Sequence, residues 1–207
     1  MHDYPDDIFT EQSDVDVNTL ANLGPLRALA GVWEGAKSMD VNPNPGEEGR
    51  QAYHERIELQ PTDPQSNGPQ LFYGLRYHTH IVKIGEVQTY HSQVGYWLWE
   101  PATKLILLSL TIPRGQVALA YGYAEPDATT FEVKATRGAT DYGICSQPFL
   151  ERNFRTDSFL MRVTVNPDDT WSYFEDTVLA VRGRPDPFHH TDENTLKRIA
   201  QPTPNPL

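Results

Sequence analysis

The chain has 207 residues, the length of one large domain or two small ones, and its 38% hydrophobic content supports a folded core and excludes wholesale disorder. With 17 basic and 28 acidic residues the formal net charge is −11, so we expect neither nucleic acid nor an anionic membrane surface as a partner. The single cysteine, Cys145, excludes an intrachain disulfide and a cysteine-based zinc site.

The amino-terminal segment is acidic, because no lysine or arginine precedes Arg27. We expect residues 1–20 to form a solvated tail. The start is acidic where a secretory signal is basic and then apolar, and no run approaches the ~18 apolar residues of a membrane span, so we expect a soluble cytoplasmic protein. Leucines at every third position from Leu20 to Leu29 predict short helical turns that break near Gly24 and Pro25.

After Gly31 the apolar residues alternate with polar ones, which is typical of β-strands separated by turns. The prolines of segment 42–46 are expected to end the first strand, because proline cannot donate to a ladder. Residues 195–199 form either a last strand or a short helix. The other predicted strands are, in chain order, residues 32–39, 51–60, 71–82, 87–100, 105–112, 116–124, 129–137, 152–165 and 170–182.

Nine or ten sequential strands without a β-α-β unit predict an all-β antiparallel meander, closed as a barrel or stacked as a sandwich. We favour a single up-and-down β-barrel of about ten strands with a short amino-terminal helical segment. This domain spans residues 21–200 and is followed by a tail, residues 201–207. A barrel of ten strands is wider than one of eight, so we expect it to enclose a ligand cavity.

Three histidines in the middle of the chain could begin a metal site. His78 and His80 share one face of a strand, and His91 follows on the next strand. Their face also carries Arg76, so solvent-exposed histidines are the better interpretation. Glycine-rich phosphate loops and a nucleophile elbow are both absent from the sequence.

Two segments are more specific. The first strand opens with Gly31-Val-Trp33-Glu-Gly35, in which the indole is expected to close one end of the barrel while the glycines permit close strand approach. The second segment contains His91-x-Gln-x-Gly-Tyr96. Downstream of both, the sequence has Gly183-x-Pro185 followed by the pair His189-His190.

In their order and spacing these motifs resemble those of the nitrobindin family, the THAP4-like heme-binding β-barrel domain, over roughly residues 26–199. Two departures affect one rim of the barrel. Lys37 stands where the family's opening motif has its last glycine, and the proline-rich segment 42–46 replaces a compact turn that carries a threonine near the heme.

The resemblance implies a ferric heme b with one proximal histidine near the carboxyl terminus, and an activity toward nitric oxide and peroxynitrite, which family members isomerise to nitrate. The metal ligand is expected at His189 or His190. Spacing and strand face favour His189, whereas a one-residue bulge would transfer the role to His190. The cofactor-binding residues that the resemblance implies are Gly31, Trp33, Gly35, His91 and Tyr96.

Two other functions remain open. A barrel with this cavity could be a non-catalytic carrier of a fatty acid or another small hydrophobic molecule. Such carriers hold the carboxylate with buried arginine or tyrosine, and the candidate arginines are Arg56, Arg76, Arg152 and Arg162. The third possibility is a protein–protein module that forms a homodimer through its barrel edges.

Overall fold

The computed structural model describes residues 5–44 and 47–204, and the side chains of Lys37, Glu47 and Glu48 are not among the described groups. Pro45 and Gly46 of the proline-rich segment therefore lie outside the described residues. No described helix is long and apolar enough to cross a membrane.

A short helical segment closes one end of the molecule, as the leucine spacing predicts. Helix α1 spans Thr19–Asn22, with the Asn18 side chain accepting a hydrogen bond at its amino terminus, and a 3-10 helix spans Gly24–Leu29. Leu23, Leu26 and Leu29 are fully buried against the strands. The leucines therefore cap the core.

Within the described residues the sheet has ten long strands and two short ones. A second helix, α2, spans Pro148–Asn153. The long strands are β1 (Gly31–Asn44), β2 (Glu47–Pro61), β4 (Gln70–Lys83), β5 (Thr89–Glu100), β6 (Leu105–Ile112), β7 (Gln116–Tyr123), β8 (Thr130–Thr136), β10 (Phe154–Val165), β11 (Thr170–Val181) and β12 (Phe188–Ala200). The short ones are β3 (Gln65–Asn67), paired with β4, and β9 (Ile144–Ser146), paired with β7.

The long strands form a closed antiparallel barrel, which confirms the predicted fold class. Each strand pairs with its neighbour in the meander, β12 returns to pair with β1, and β2 pairs with β4. Residues 195–199 belong to a strand of thirteen residues and not to a helix.

The prediction that segment 42–46 ends the first strand is wrong for its described part. Strand β1 continues to Asn44, and Pro43 pairs with Glu48 of β2. Its pairing with β12 ends earlier, at Val41 and Thr191. Pro43 therefore lies where β1 has a partner on one side only, which is the kind of edge position at which a strand tolerates proline.

One seam of the barrel is much shorter than the others. Between β7 and β8 the ladder consists of the pair Tyr121 and Lys134. Toward one end of the barrel β7 pairs instead with β9, and helix α2 follows directly along the chain. Residues 144–153 thus fill the gap between β7 and the start of β10.

Candidate functional site

Trp33 closes the end of the barrel that the helical segment covers. Its indole N–H donates to the Leu29 carbonyl at 2.7 Å, and its ring contacts that of Trp171 edge to face, with centroids 6.1 Å apart. The Arg198 guanidinium carbon lies 4.1 Å from the Trp33 ring centroid, and this side chain also donates to the backbone carbonyls of Ala28 and Ala30. We call this the closed end.

The opposite end opens into a cavity of about 520 Å³ inside the barrel. We call this opening the mouth. Near the closed end the cavity wall is apolar and aromatic, and it includes Trp97, Leu108 and Trp171. Toward the mouth the wall becomes polar, and helix α2 contributes Phe149 and Leu150 beside the opening.

His190 lines the cavity near the mouth and is held there by Asp40. The ring nitrogen Nε2 of His190 lies 2.7 Å from Asp40 Oδ1. Asp40, 4% exposed, also accepts hydrogen bonds from the Tyr90 hydroxyl at 2.6 Å and the Asn42 amide at 3.0 Å. The imidazole is therefore fixed by a chain of side chains that spans β12, β1 and β5.

The two members of this pair stabilise each other's charged forms. Burial raises the pKa of Asp40, but the hydrogen bonds from His190, Tyr90 and Asn42 outweigh it and hold the pKa below its ordinary value. Burial lowers the pKa of His190, but the hydrogen bond and charge of Asp40 outweigh that effect and raise it.

His189 lies on the outer surface of the barrel. Its Nδ1 lies 2.8 Å from Asp176 Oδ2, and its side chain is exposed. The two adjacent histidines therefore occupy opposite faces of β12, and each is paired with a different aspartate. The imidazole that faces the cavity belongs to His190.

A second polar cluster lies deeper in the cavity and centres on Glu55. Oε2 of this carboxyl accepts a hydrogen bond from the Asn194 amide at 2.7 Å and one from the Tyr173 hydroxyl at 2.9 Å. Glu55 is 3% exposed, and burial raises its pKa to about 7. The Asn194 amide reaches Glu55 by passing over Gly35 of the intervening strand β1.

The cluster continues through a second tyrosine to a second carboxyl. The hydroxyls of Tyr173 and Tyr53 lie 2.9 Å apart, and the Tyr53 hydroxyl also hydrogen-bonds to Asp192. The chain Glu55–Tyr173–Tyr53–Asp192 therefore contains three hydrogen bonds but only two hydroxyl protons. All three hydrogen bonds can form only if one carboxyl carries a proton. Asp192 is suited to carry it, because burial raises its pKa to about 9.

The opposite wall, on β5 and the β6–β7 turn, has a different character. His91 lines the cavity there, and burial together with the positive charge of Arg114 lowers its pKa to about 4, so the imidazole is neutral. The Arg114 guanidinium donates to the Tyr90 carbonyl at 3.1 Å at the mouth. Gln93 donates to the Tyr77 hydroxyl at 2.7 Å.

The residues proposed from the sequence lie in three places. His91 and His190 line the cavity, Gly31 and Trp33 lie at the closed end, and Tyr96 is on the outer surface, 48% exposed. His78 and His80 also lie outside, where they hydrogen-bond to Ser92 and Thr89. Among the described residues, no group of three or more potential ligands is arranged to hold a metal ion.

The four arginines suggested for a fatty-acid carboxylate do not reach the cavity. Arg56 pairs with Glu34 and Arg162 with Glu132 on the outside, and Arg76 and Arg152 are exposed. Arg114 is the one arginine or lysine among the described residues that line the cavity.

Sequence reasoning missed the buried carboxyls, although the sequence carries a signal for them. Glu55 stands in phase with Tyr53, Ile57 and Leu59, on the face that the alternation assigns to the core. Glu175 likewise alternates with the buried Tyr173. A carboxyl in register with the apolar face of a strand is therefore the pattern that identifies these groups.

Comparison with known proteins agrees with this architecture. No curated protein matches the sequence significantly. Among the solved structures that match is the crystal structure of Rv2717c from M. tuberculosis, with a TM-score of 0.58 and 18% identity, covering 89% of this chain and 99% of that chain. At this identity the likeness shows the fold alone. The family model for the THAP4-like, heme-binding β-barrel domain matches residues 22–198, so the chain belongs to this family.

Proposed function

We propose that this protein binds heme b in the barrel cavity with His190 as the proximal ligand, and that it reacts with nitric oxide and isomerises peroxynitrite to nitrate. The observation that carries the proposal is the position of His190. Its imidazole lies on the cavity wall, in a chain that belongs to a family of heme-binding barrels. His189, which the sequence spacing favours, lies on the outer surface.

The residues around the cavity fit a heme. A volume of about 520 Å³ is in the range of pockets that hold a cofactor-sized ligand, ~300–1,000 Å³. The aromatic wall near the closed end supplies apolar contact, and imidazole is a common axial ligand of heme iron. Arg114 at the mouth would hold a propionate.

Asp40 supports this role for His190. Histidines that bind metals through one ring nitrogen commonly donate from the other to a carboxylate, which fixes the ring's orientation. In this structure Nε2 of His190 contacts Asp40, which is itself held by Tyr90 and Asn42, so Nδ1 is the nitrogen that could bind iron while that contact is kept.

The proposed reaction needs little from the surrounding side chains. Peroxynitrite and nitrate contain the same atoms and carry the same charge, so the isomerisation consumes no oxidant or reductant. A bound heme would supply an iron centre to which the small substrate can bind. The apolar wall near the closed end excludes bulk water, and the Tyr77 hydroxyl, which accepts its hydrogen bond from Gln93, keeps its proton for donation into the cavity.

Hemin titration of purified His190→Ala and His189→Ala variants tests the proposal. We expect His190→Ala to weaken hemin binding by about tenfold or more and to shift the Soret band, whereas His189→Ala behaves like the wild type. Loss of binding in His189→Ala with an unchanged His190→Ala, or no shifted Soret band in the wild type at stoichiometric hemin, would overturn it. Stopped-flow decay of peroxynitrite, with nitrate as the measured product, tests the activity.

A further inference from the structure

Most of the ionisable groups on one side of the cavity wall are carboxyls. Four carboxyls face inward from β1, β2, β11 and β12: Asp40, Glu55, Glu175 and Asp192. Asp40 forms an ion pair with His190, whose charge also acts on Glu175, but among the described residues none of the other three carboxyls forms an ion pair of its own. Burying a carboxyl without a cationic partner is costly, so these groups need either a proton or a cation.

Glu55 directs an unused oxygen into the cavity. Both of its hydrogen bonds reach Oε2, and within the described chain Oε1 accepts none. Glu55 is 97% buried, since its exposed fraction is 3%, yet it belongs to the cavity lining. The second oxygen, Oε1, is therefore open to a ligand in the cavity but not to bulk solvent outside the barrel.

Glu175, which is half-buried, provides a second carboxyl of the cavity wall nearer the mouth. Its one hydrogen bond among the described residues is a long one, 3.4 Å from the Thr177 hydroxyl. Burial raises the pKa of Glu175 to about 7, the same direction as for Glu55. The two glutamates lie on strands separated by β1 and β12, so they approach the cavity from neighbouring parts of one wall.

The space beyond these carboxyls suits an apolar body. Toward the closed end the wall consists of aromatic and aliphatic side chains, among them Ile57, Leu59, Trp97, Leu108 and Trp171. A ligand that enters with its apolar part first would bring its polar head to the level of the carboxyls. Aromatic faces beside that level also attract cations.

We propose that the cavity binds hydrophobic amines, with the ammonium group paired to Glu55 and Glu175 and the apolar body against the aromatic wall. This inference uses the same cavity as the proposed function but does not depend on iron. It also reverses the charge expected for a fatty-acid carrier, because four carboxyls line the cavity and Arg114, the one arginine or lysine of its described lining, lies at the mouth.

Three ligands with the same ten-carbon chain test the proposal: decylamine, decanol and decanoate. Their binding to the full-length, heme-free protein is measured by calorimetry and by the fluorescence of Trp97 and Trp171 in the wall. We expect decylamine to bind about tenfold or more tightly than decanol, and decanoate to bind most weakly. Decanoate binding as tightly as decylamine would overturn the proposal.

Variants then assign the head-group contact. In Glu55→Gln/Glu175→Gln, decylamine affinity should fall to that of decanol, because the isosteric amides keep the shape and remove the charge. The matched control is Glu58→Gln/Glu193→Gln, which removes two exposed carboxyls from the outside of β2 and β12 and should leave the affinity unchanged. Equal losses in both double variants would contradict the assignment. If the inner variant fails to fold, the wild-type ranking of the three ligands still decides.

Hemin titration of the same preparations separates this inference from the proposed function. A shifted Soret band without decylamine binding would refute the amine site alone. Decylamine binding without a Soret shift would refute the heme site alone.

Discussion

The side-chain amide of Asn194 occupies the space in which a β-carbon on Gly35 would lie. A β-carbon built there would be 2.5 Å from Asn194 Nδ2 and 2.6 Å from Oδ1. The same amide donates to Glu55, two strands away from Asn194. The last glycine of the Gly-x-Trp-x-Gly motif is thus required for a contact that crosses a strand.

We expect Gly35→Ala to destabilise the protein by about 1–3 kcal/mol, because the methyl group must displace the Asn194 amide. Urea denaturation measures the loss. The control is the same substitution in an Asn194→Ala background, where the space is free and the added cost should be smaller. An equal cost in both backgrounds would mean that Asn194 is not the obstacle.

The raised pKa of Glu55 predicts a pH dependence of stability. In the folded protein its pKa is about 7, above the ordinary value of ~4.3 for an exposed glutamate. Glu55 therefore contributes its full stabilisation of the fold below its pKa in the unfolded chain, and this stabilisation is lost as the pH rises through about 7. Its magnitude is on the order of 3 kcal/mol. Glu55→Gln should reduce the decline in the free energy of unfolding between pH 5 and pH 8, to which Glu175 also contributes, whereas Glu58→Gln should not.

The tyrosine chain between Glu55 and Asp192 should behave as a unit. Tyr53→Phe and Tyr173→Phe each leave a buried carboxyl with one hydrogen bond fewer, and we expect each to cost about 1–3 kcal/mol. The double variant should cost less than the sum, because the two hydroxyls bond to each other. Tyr96→Phe on the outer surface is the control and should be close to neutral. Strict additivity would contradict a connected chain.

Under the proposed function, Asp40 should affect heme binding through its contact with His190. Asp40→Asn removes the carboxylate that orients the ring, and we expect hemin affinity to fall by about 10–100-fold with a changed ferrous iron–histidine stretching frequency. Asp176→Asn removes the equivalent partner of His189 and should leave both readouts unchanged. A similar response in the two variants would indicate a general effect on the fold.

The barrel itself could be predicted from the sequence because apolar alternation with a period of two marks most of the long strands, whereas β6 is a nearly continuous apolar run. The end of β1 is harder to predict, because it contains a proline. Pro43 is tolerated because β1 has lost its second neighbour by that point, and this depends on the relative lengths of β1 and β12. Pairing length is a tertiary property, so composition alone does not determine it.

The orientation of the histidine pair depends on which residue sets the phase of β12. Leu196 is fully buried, and the ladder between β11 and β12 runs without a register shift from Lys197 to Phe188. Counting back from Leu196 in steps of two reaches Asn194, Asp192 and His190. The spacing from Gly183 and the strand face of Thr191 point to His189 instead, because Thr191 is out of phase with the buried Leu196 and the loop after Gly183 does not follow the alternation of a strand.

The barrel is a closed ring of strands in which the contact between β7 and β8 has the shortest ladder. Tyr121 and Lys134 form its one ladder pair in the described chain, whereas every other seam between long strands has several pairs. We therefore expect local opening to begin at this seam, at a free energy below that of global unfolding. Backbone amides along this seam should exchange with deuterium sooner than those of the β1–β2 ladder, and a bulky, rigid ligand would leave at the rate of this breathing motion.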